Sequence, residues 1–158
     1  MKKVPLIPVI IGSGFGAGFW PWGPGTAGAV LATLIWLGLN LVCTPLTLTV
    51  ITFILVLVFT ALGTWATARL EPFWGEDPKR VVVDEMVGVW IPLMAAAGTA
   101  HTGWLALAAL LLFRFFDIVK PLGIRALDRR QGAIWVMLDD VLAGAYSLVV
   151  MLILIQLL

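Results

Sequence analysis

Hydrophobic positions along this chain run in long blocks instead of alternating with polar ones. Apolar stretches cover about residues 27–43, 46–68, 86–98, 103–119 and 133–158, interrupted by Pro45, by charged segments and by the turn sequence GTAHTG at 98–103. Between Lys3 and Arg69 there is no Asp, Glu, Lys or Arg, which leaves room for at least two helices of about 20 residues each. Such blocks predict an all-α fold: a polytopic membrane helical bundle of about five transmembrane helices, forming one domain over 1–158. Residues 5–22, with Pro5, Pro8 and a glycine run, predict an added N-terminal segment that is re-entrant or interfacial.

Composition agrees and narrows the class. With 61% apolar and 12% charged residues and a mean hydropathy of +1.07, the chain is far from a soluble domain. A net charge of +1 argues against a nucleic-acid partner, and a single cysteine, Cys43, cannot make an internal disulfide. The start of the chain superficially resembles a signal peptide. Cleavage is not expected, because Pro5 and Pro8 break the apolar part and the AGA near residue 28 leads into another apolar block.

Charge placement predicts orientation. The short connections near 44–45 and 99–102 hold only His101 as a possible charge, whereas RLEPFWGEDPKR and KPLGIRALDRRQG are rich in charge. All ten Lys and Arg can therefore lie on one side, which the positive-inside rule makes the cytoplasm. A full crossing by residues 5–22 would reverse that side or change the helix count, so this segment is expected to dip in and return, with an interfacial helix as the competing account.

Several polar groups then fall on the same membrane face. Gly12-x-Gly14-x-x-Ala17 formally fits a relaxed dinucleotide fingerprint, but no acid lies about 20 positions downstream and no βαβ pattern surrounds it. The pairs Gly12/Gly16 and Gly14/Gly18 read instead as close-packing positions. The segment Pro21-Trp22-Gly23-Pro24-Gly25-Thr26 bends sharply and is expected to open a helix at Thr26, where Gly25 and Thr26 would form an anion cradle; a simple Thr26 N-cap is the plainer account.

Asp84 and Glu85 precede one apolar block, and Asp139 and Asp140 lie near the start of another. Asp84 and Asp140 each have a glycine one turn on, Gly88 and Gly144, a notch for another backbone or a ligand. Acids at a helix N-terminus are favoured by the macrodipole, which explains one per helix better than two adjacent ones, repeated. Arg114, Asp117 and Lys120 end a third block; an intrahelical ion pair and a snorkelling lysine are the plain account, although ionisable groups inside a span are costly. Asp128, among Arg125, Arg129 and Arg130, reads as a solvated loop ion pair.

Five carboxylates offering only oxygen suit a hard cation, Mg2+ first, and Arg114 with Lys120 suits a phosphate. His101 and Cys43 fall on the opposite face, so a His or Cys nucleophile is not expected, and a metal-activated water remains.

The stretches GFGAGFWPWGPGTAGA, VVVDEMVGVWI, FRFFDIVKPLGI, LDRRQGA and MLDDVLAGAYS occur in that order over most of the chain. On them the chain resembles bacterial phosphatidylglycerophosphatase A. The resemblance implies a multi-pass enzyme of the bacterial cytoplasmic membrane, active at its cytoplasmic face. Such an enzyme is Mg2+-dependent and converts phosphatidylglycerophosphate to phosphatidylglycerol and inorganic phosphate. It carries onto this chain Thr26 with its flanking glycines, Asp84, Glu85, Arg114, Asp117, Lys120, Asp139 and Asp140. The expected roles are metal binding and catalysis for the five acids, and substrate binding for Gly25, Thr26, Arg114 and Lys120. The partners expected are the substrate and other membrane lipids.

Two other classes compete. A small cation or proton transporter also buries acids in spans, but usually at the midplane with access from both sides. A CDP-alcohol phosphotransferase also uses aspartates at the membrane face, but its D-G-x-x-A-R spacing is absent.

Overall fold

A computed structural model describes residues 3–121 and 123–158; Met1 and Lys2 of the basic start, and Leu122 of the FRFFDIVKPLGI stretch, lie outside the described residues. The described residues are all-α. Seven α-helices follow one another: α1 (Leu6–Gly12), α2 (Pro24–Asn40), α3 (Pro45–Trp74), α4 (Val83–Leu93), α5 (Thr102–Val119), α6 (Ile124–Asp128) and α7 (Ala133–Gln156). Short 3-10 turns at Ala17–Phe19 and Met94–Ala96 complete them.

Each of the five apolar blocks becomes a helix, but of unequal length. α3, α5 and α7 are long and apolar enough to cross a membrane. At about 1.5 Å per residue, α2 reaches about 26 Å and α4 about 17 Å, both short of a hydrocarbon layer of about 30 Å. α3 is longer than its apolar block because the helix runs on through Arg69–Trp74, which carries Glu71 to the mouth of the cleft described below.

α4 is the centre of the bundle. Every residue from Val83 to Leu93 except Glu85 is buried, as expected of a helix that is apolar all round, and it packs against α7, α2, α3 and α5. The surrounding helices turn one stripe inward: Ala29, Ala32, Thr33 and Trp36 on α2, Leu105, Ala109 and Phe113 on α5, and Met137, Asp140, Ala143, Gly144, Ser147 and Met151 on α7. The Trp90 indole donates to the Ala32 carbonyl at 3.1 Å, pinning α4 to α2. Lipid is as apolar as leucine, so close backbone packing must hold such helices together. Gly88 and Gly144 supply it. A Cβ on Gly144 would strike the Gly88 carbonyl oxygen, and one on Gly88 would meet the Phe113 ring and, at 2.9 Å, the Asp140 carbonyl oxygen. The notch expected beside each acid is thus filled by the opposing helix.

The N-terminal segment departs from its expected packing in one respect. α1, with seven residues and so about 10 Å of rise, is too short to cross, and it lies against α3. Gly14 and Gly16 have positive φ, so they form a turn and do not continue a helix with four-residue glycine spacing. Gly12 packs on Leu70, Gly14 on Met86 and Gly18 on the Arg80 carbonyl, whereas a Cβ on Gly16 would meet nothing within 4 Å; its reason is conformation, not packing. The turn is laced to the α3–α4 connection: the Val82 N–H donates to the Gly12 carbonyl at 2.8 Å, and the Arg80 guanidinium stands over the Phe19 and Trp74 rings.

Candidate active site

The start of α2, the α3–α4 connection, the start of α4, the end of α5 and the α6–α7 region meet at one end of the bundle around a cleft of about 520 Å³. Fourteen of its lining residues are acids or bases from motifs far apart in sequence, including Asp84, Glu85, Arg114, Asp117, Lys120, Asp139 and Asp140. His101 lies at the other end of the 18-residue α5, beside Trp104 and Leu107.

The five acids are not one cage. Asp84, Glu85 and Asp140 each present an oxygen within 4.8 Å of the others, a juxtaposition made possible by the Gly88–Gly144 contact one turn deeper. Asp117 instead pairs with Arg114 one turn before it on α5, and also faces Asp140. Asp139 is turned to Lys120, whose ammonium lies 2.6 Å from it. Lys120 also pairs with Asp128, so Asp128 belongs to the cleft and is not paired with the loop arginines as expected. The spacing did hold a signal: Lys120 and Asp128 stand eight positions apart on either side of Pro121 and Gly123, and Lys120 itself adopts φ +50 at the end of α5.

Buried carboxylate oxygens without partners are costly, and the triad has two. Among the described residues, Asp84 Oδ1 and Glu85 Oε2 are buried with no hydrogen-bond partner, as is Arg114 Nε. Three converging carboxylates with unsatisfied oxygens and no nitrogen or sulfur donor fit a hard divalent cation, so this triad can hold a metal. Arg114 Nη1 stands 4.0 Å from Glu85 Oε1, between the triad and Asp117.

α2 enters this arrangement end-on. Gly23 caps it with φ +75 and Pro24 takes the first helical position, so the helix opens two residues earlier than expected and Thr26 is its third residue, not its cap. No side chain caps the end. A Cβ on Gly25 would overlap Glu85 Oε1 and come within 3.3 Å of Arg114 Nη1, so only glycine lets the helix end sit against the acids. Gly25 lines the cleft; Thr26 does not, and faces a neighbouring apolar groove.

The end of α3 and the α3–α4 connection also contribute to the cleft, which nothing in the sequence pattern had indicated. Glu71, Glu76, Asp77 and Lys79 line the mouth, with Arg129 and Arg130 opposite. Asp77, a non-glycine residue at φ +45, is exposed there. The cleft walls thin its solvation and raise its carboxyl above the ordinary range; Lys120 opposes this, and Asp128 and Asp117 add to it. For Lys120 burial works against the charge, but the bonds to Asp128 and Asp139 outweigh it and hold the ammonium above the usual lysine range.

Residues 10–155 match the model of the family described as phosphatidylglycerophosphatase A. The chain belongs to that family. It is therefore a membrane protein of a lipid phosphatase family, and the transporter and phosphotransferase readings fall away. It is 37% identical to a Haemophilus influenzae protein named phosphatidylglycerophosphatase A, over 95% of this chain and 91% of that one. An Escherichia coli protein of the same name is 32% identical over 87% of this chain and 77% of its own. A Bacteroides thetaiotaomicron protein with the provisional name phosphatidylinositol-3-phosphatase is 54% identical, over 94% of each chain. No solved structure matches.

Proposed function

We propose that this protein removes the terminal phosphate of phosphatidylglycerophosphate, giving phosphatidylglycerol and inorganic phosphate, at the cytoplasmic face of a bacterial inner membrane. The observation that carries the reading is the buried triad with unsatisfied oxygens, set beside Arg114 and the uncapped end of α2 in a phosphatase-family chain. α2 and α4 with its following turn would complete five passes within the bundle, too short alone but sheltered by the longer helices.

Asp84, Glu85 and Asp140 would hold Mg2+, which when bound supplies polarisation of phosphoryl oxygens and a more acidic bound water. Arg114, oriented by Asp117, lies where charge develops on the phosphoryl group and offsets it. The free N–H groups at the start of α2, beside Gly25, add a second anion-stabilising element that needs no reorganisation. Lys120, bracketed by Asp128 and Asp139, holds the α5 end against α7 and keeps a positive charge on the cleft wall. In the reaction the water oxygen bonds to phosphorus, the ester P–O bond breaks, and the leaving alkoxide becomes the alcohol by taking up a proton that the water has given up.

The 54% identical Bacteroides protein favours one second reading, a phosphatidylinositol 3-phosphate substrate. Both lipids present a phosphate monoester on a headgroup and would meet the same residues. The deciding experiment measures phosphate release from each lipid in mixed micelles, with Mg2+ and with chelator. We expect at least a tenfold preference for phosphatidylglycerophosphate, lost on chelation. The reverse preference selects the second reading, and release from neither lipid, or full activity in chelator, refutes the metal-assisted phosphatase reading.

A further inference from the structure

Beside the cleft, and sharing Gly23 with it, runs a separate apolar groove of about 350 Å³ along α2. Thr26, Val30 and Leu34 repeat at four-residue spacing, as do Gly23, Ala27 and Leu31, so two adjacent ridges of one helix line it. Trp20 and Trp22 close its upper end. Their rings meet edge to face at 6.2 Å, and Trp22 is 80% exposed. Tryptophans of this kind sit at the headgroup level of a bilayer, which places the groove's upper end at the interface and its lower end in hydrocarbon. From Gly23 to Leu34 α2 rises about 16 Å, close to half of a hydrocarbon layer of about 30 Å, the depth of one leaflet.

We infer that this groove holds an acyl chain of the lipid whose headgroup phosphate occupies the cleft. The inference rests on the lipid phosphatase reading and extends it to the apolar part of the substrate. A diacyl lipid is one molecule with a charged end and an apolar end joined at the interface, and the two cavities repeat that order, joined at Gly23. The small residues Gly23 and Ala27 keep the groove open where the chain leaves the headgroup, and Val30, Leu31 and Leu34 contact it further down. The cleft needs no deep apolar chamber, because the lipid slides in sideways from its own leaflet with its tail still at membrane depth. The groove beside His101 shares no lining residue with the cleft, and the one beside Phe73 meets it only at Lys79 and contains no residue of α2.

Two experiments test it. Val30→Trp and Leu34→Trp fill the groove, and Leu57→Trp places the same bulk on an exposed position of α3. The readout is the ratio of kcat/KM for a dioleoyl substrate to that for its water-soluble dibutyryl form. We expect the groove variants to lower this ratio at least tenfold, through KM, and Leu57→Trp to leave it unchanged. An unchanged ratio in the groove variants overturns the inference.

The second experiment uses wild-type protein and a diacyl lipid bearing a phosphonate headgroup that resists hydrolysis and a diazirine in one acyl chain. Photolabel should concentrate within residues 20–34 and be displaced by the unlabelled phosphonate lipid but not by phosphatidylcholine. Label spread over exposed faces of α3 and α5, or label that phosphatidylcholine displaces equally, means bulk lipid fills the groove and overturns the inference. Labelling needs no turnover, so loss of the phosphatase reading would show as wild-type inactivity, separately from the labelling pattern.

Discussion

Asp84, Glu85 and Asp140 owe their convergence to partners that take the other acids away. Lys120 engages Asp139 and Asp128, Arg114 engages Asp117, and the triad keeps the oxygens that nothing in the described residues satisfies. Substitutions that preserve size while removing charge should separate these roles. Asp84→Asn and Asp140→Asn should yield folded, membrane-inserted protein with turnover reduced at least roughly 10²-fold, the scale of losing an electrostatic stabiliser or metal ligand. His101→Ala, at the far end of α5, should stay near wild type. Normal lipid turnover by both Asn variants would remove the triad from the chemistry. Lys120 allows a stability test. Its folded pKa is raised, so the stability it contributes is complete below the unfolded lysine value of about 10.4 and is lost only as pH rises through the higher folded value. Lys120→Met strands the buried Asp139 and should lower stability by about 3 kcal/mol at pH 9. Unchanged thermal stability of the variant at pH 9 would contradict the assignment. Residue identity was readable at this scale, because ionisable groups are rare in apolar blocks. The sorting into a triad and the ion pairs around it was not, since it depends on which side chains from separate helices face each other.

At the scale of elements, the α4–α7 contact carries the geometry of the site. Both glycines are placed where a methyl group would collide with backbone, so Gly144→Ala must push the helices apart and widen the triad. Gly38, inside α2, has nothing within 4 Å of a built Cβ, and Gly38→Ala should gain up to about 1 kcal/mol from helix propensity. We therefore expect Gly144→Ala to lower both thermal stability and turnover while Gly38→Ala raises the first and spares the second. Equal behaviour of the two variants would mean that the close approach does not matter. The glycine one turn after each acid was visible as a spacing, but its meeting with the other was not. Nor did the block at 86–98 reveal that α4 is enclosed: a helix surrounded by other helices and one surrounded by lipid have the same apolar composition. The start of α2 was misplaced by two residues for a local reason, because Gly23 in the left-handed region caps the helix and Pro24 begins it.

For the whole molecule, charge asymmetry links the fold to the direction of the reaction. Lys79, Lys120, Arg129 and Arg130 all line the cleft end, while the connections at Cys43–Thr44 and Gly98–His101 carry no Lys or Arg. A chain with its basic loops gathered at one end is retained with that end in the cytoplasm, so the cleft should open there. The claim can be tested without any assay of activity. In a Cys43→Ser background, single cysteines at Lys79 and Arg129 should react with a membrane-impermeant maleimide only after the inner leaflet is exposed, and a cysteine at Thr99 should react in intact cells. Because Lys79 and Arg129 reach the cleft from connections on either side of α4 and α5, both must give the same answer. Labelling of both from outside would invert the molecule and place the cleft on the outer face. Labelling of one from each side would break the helix parity on which a single cleft end depends.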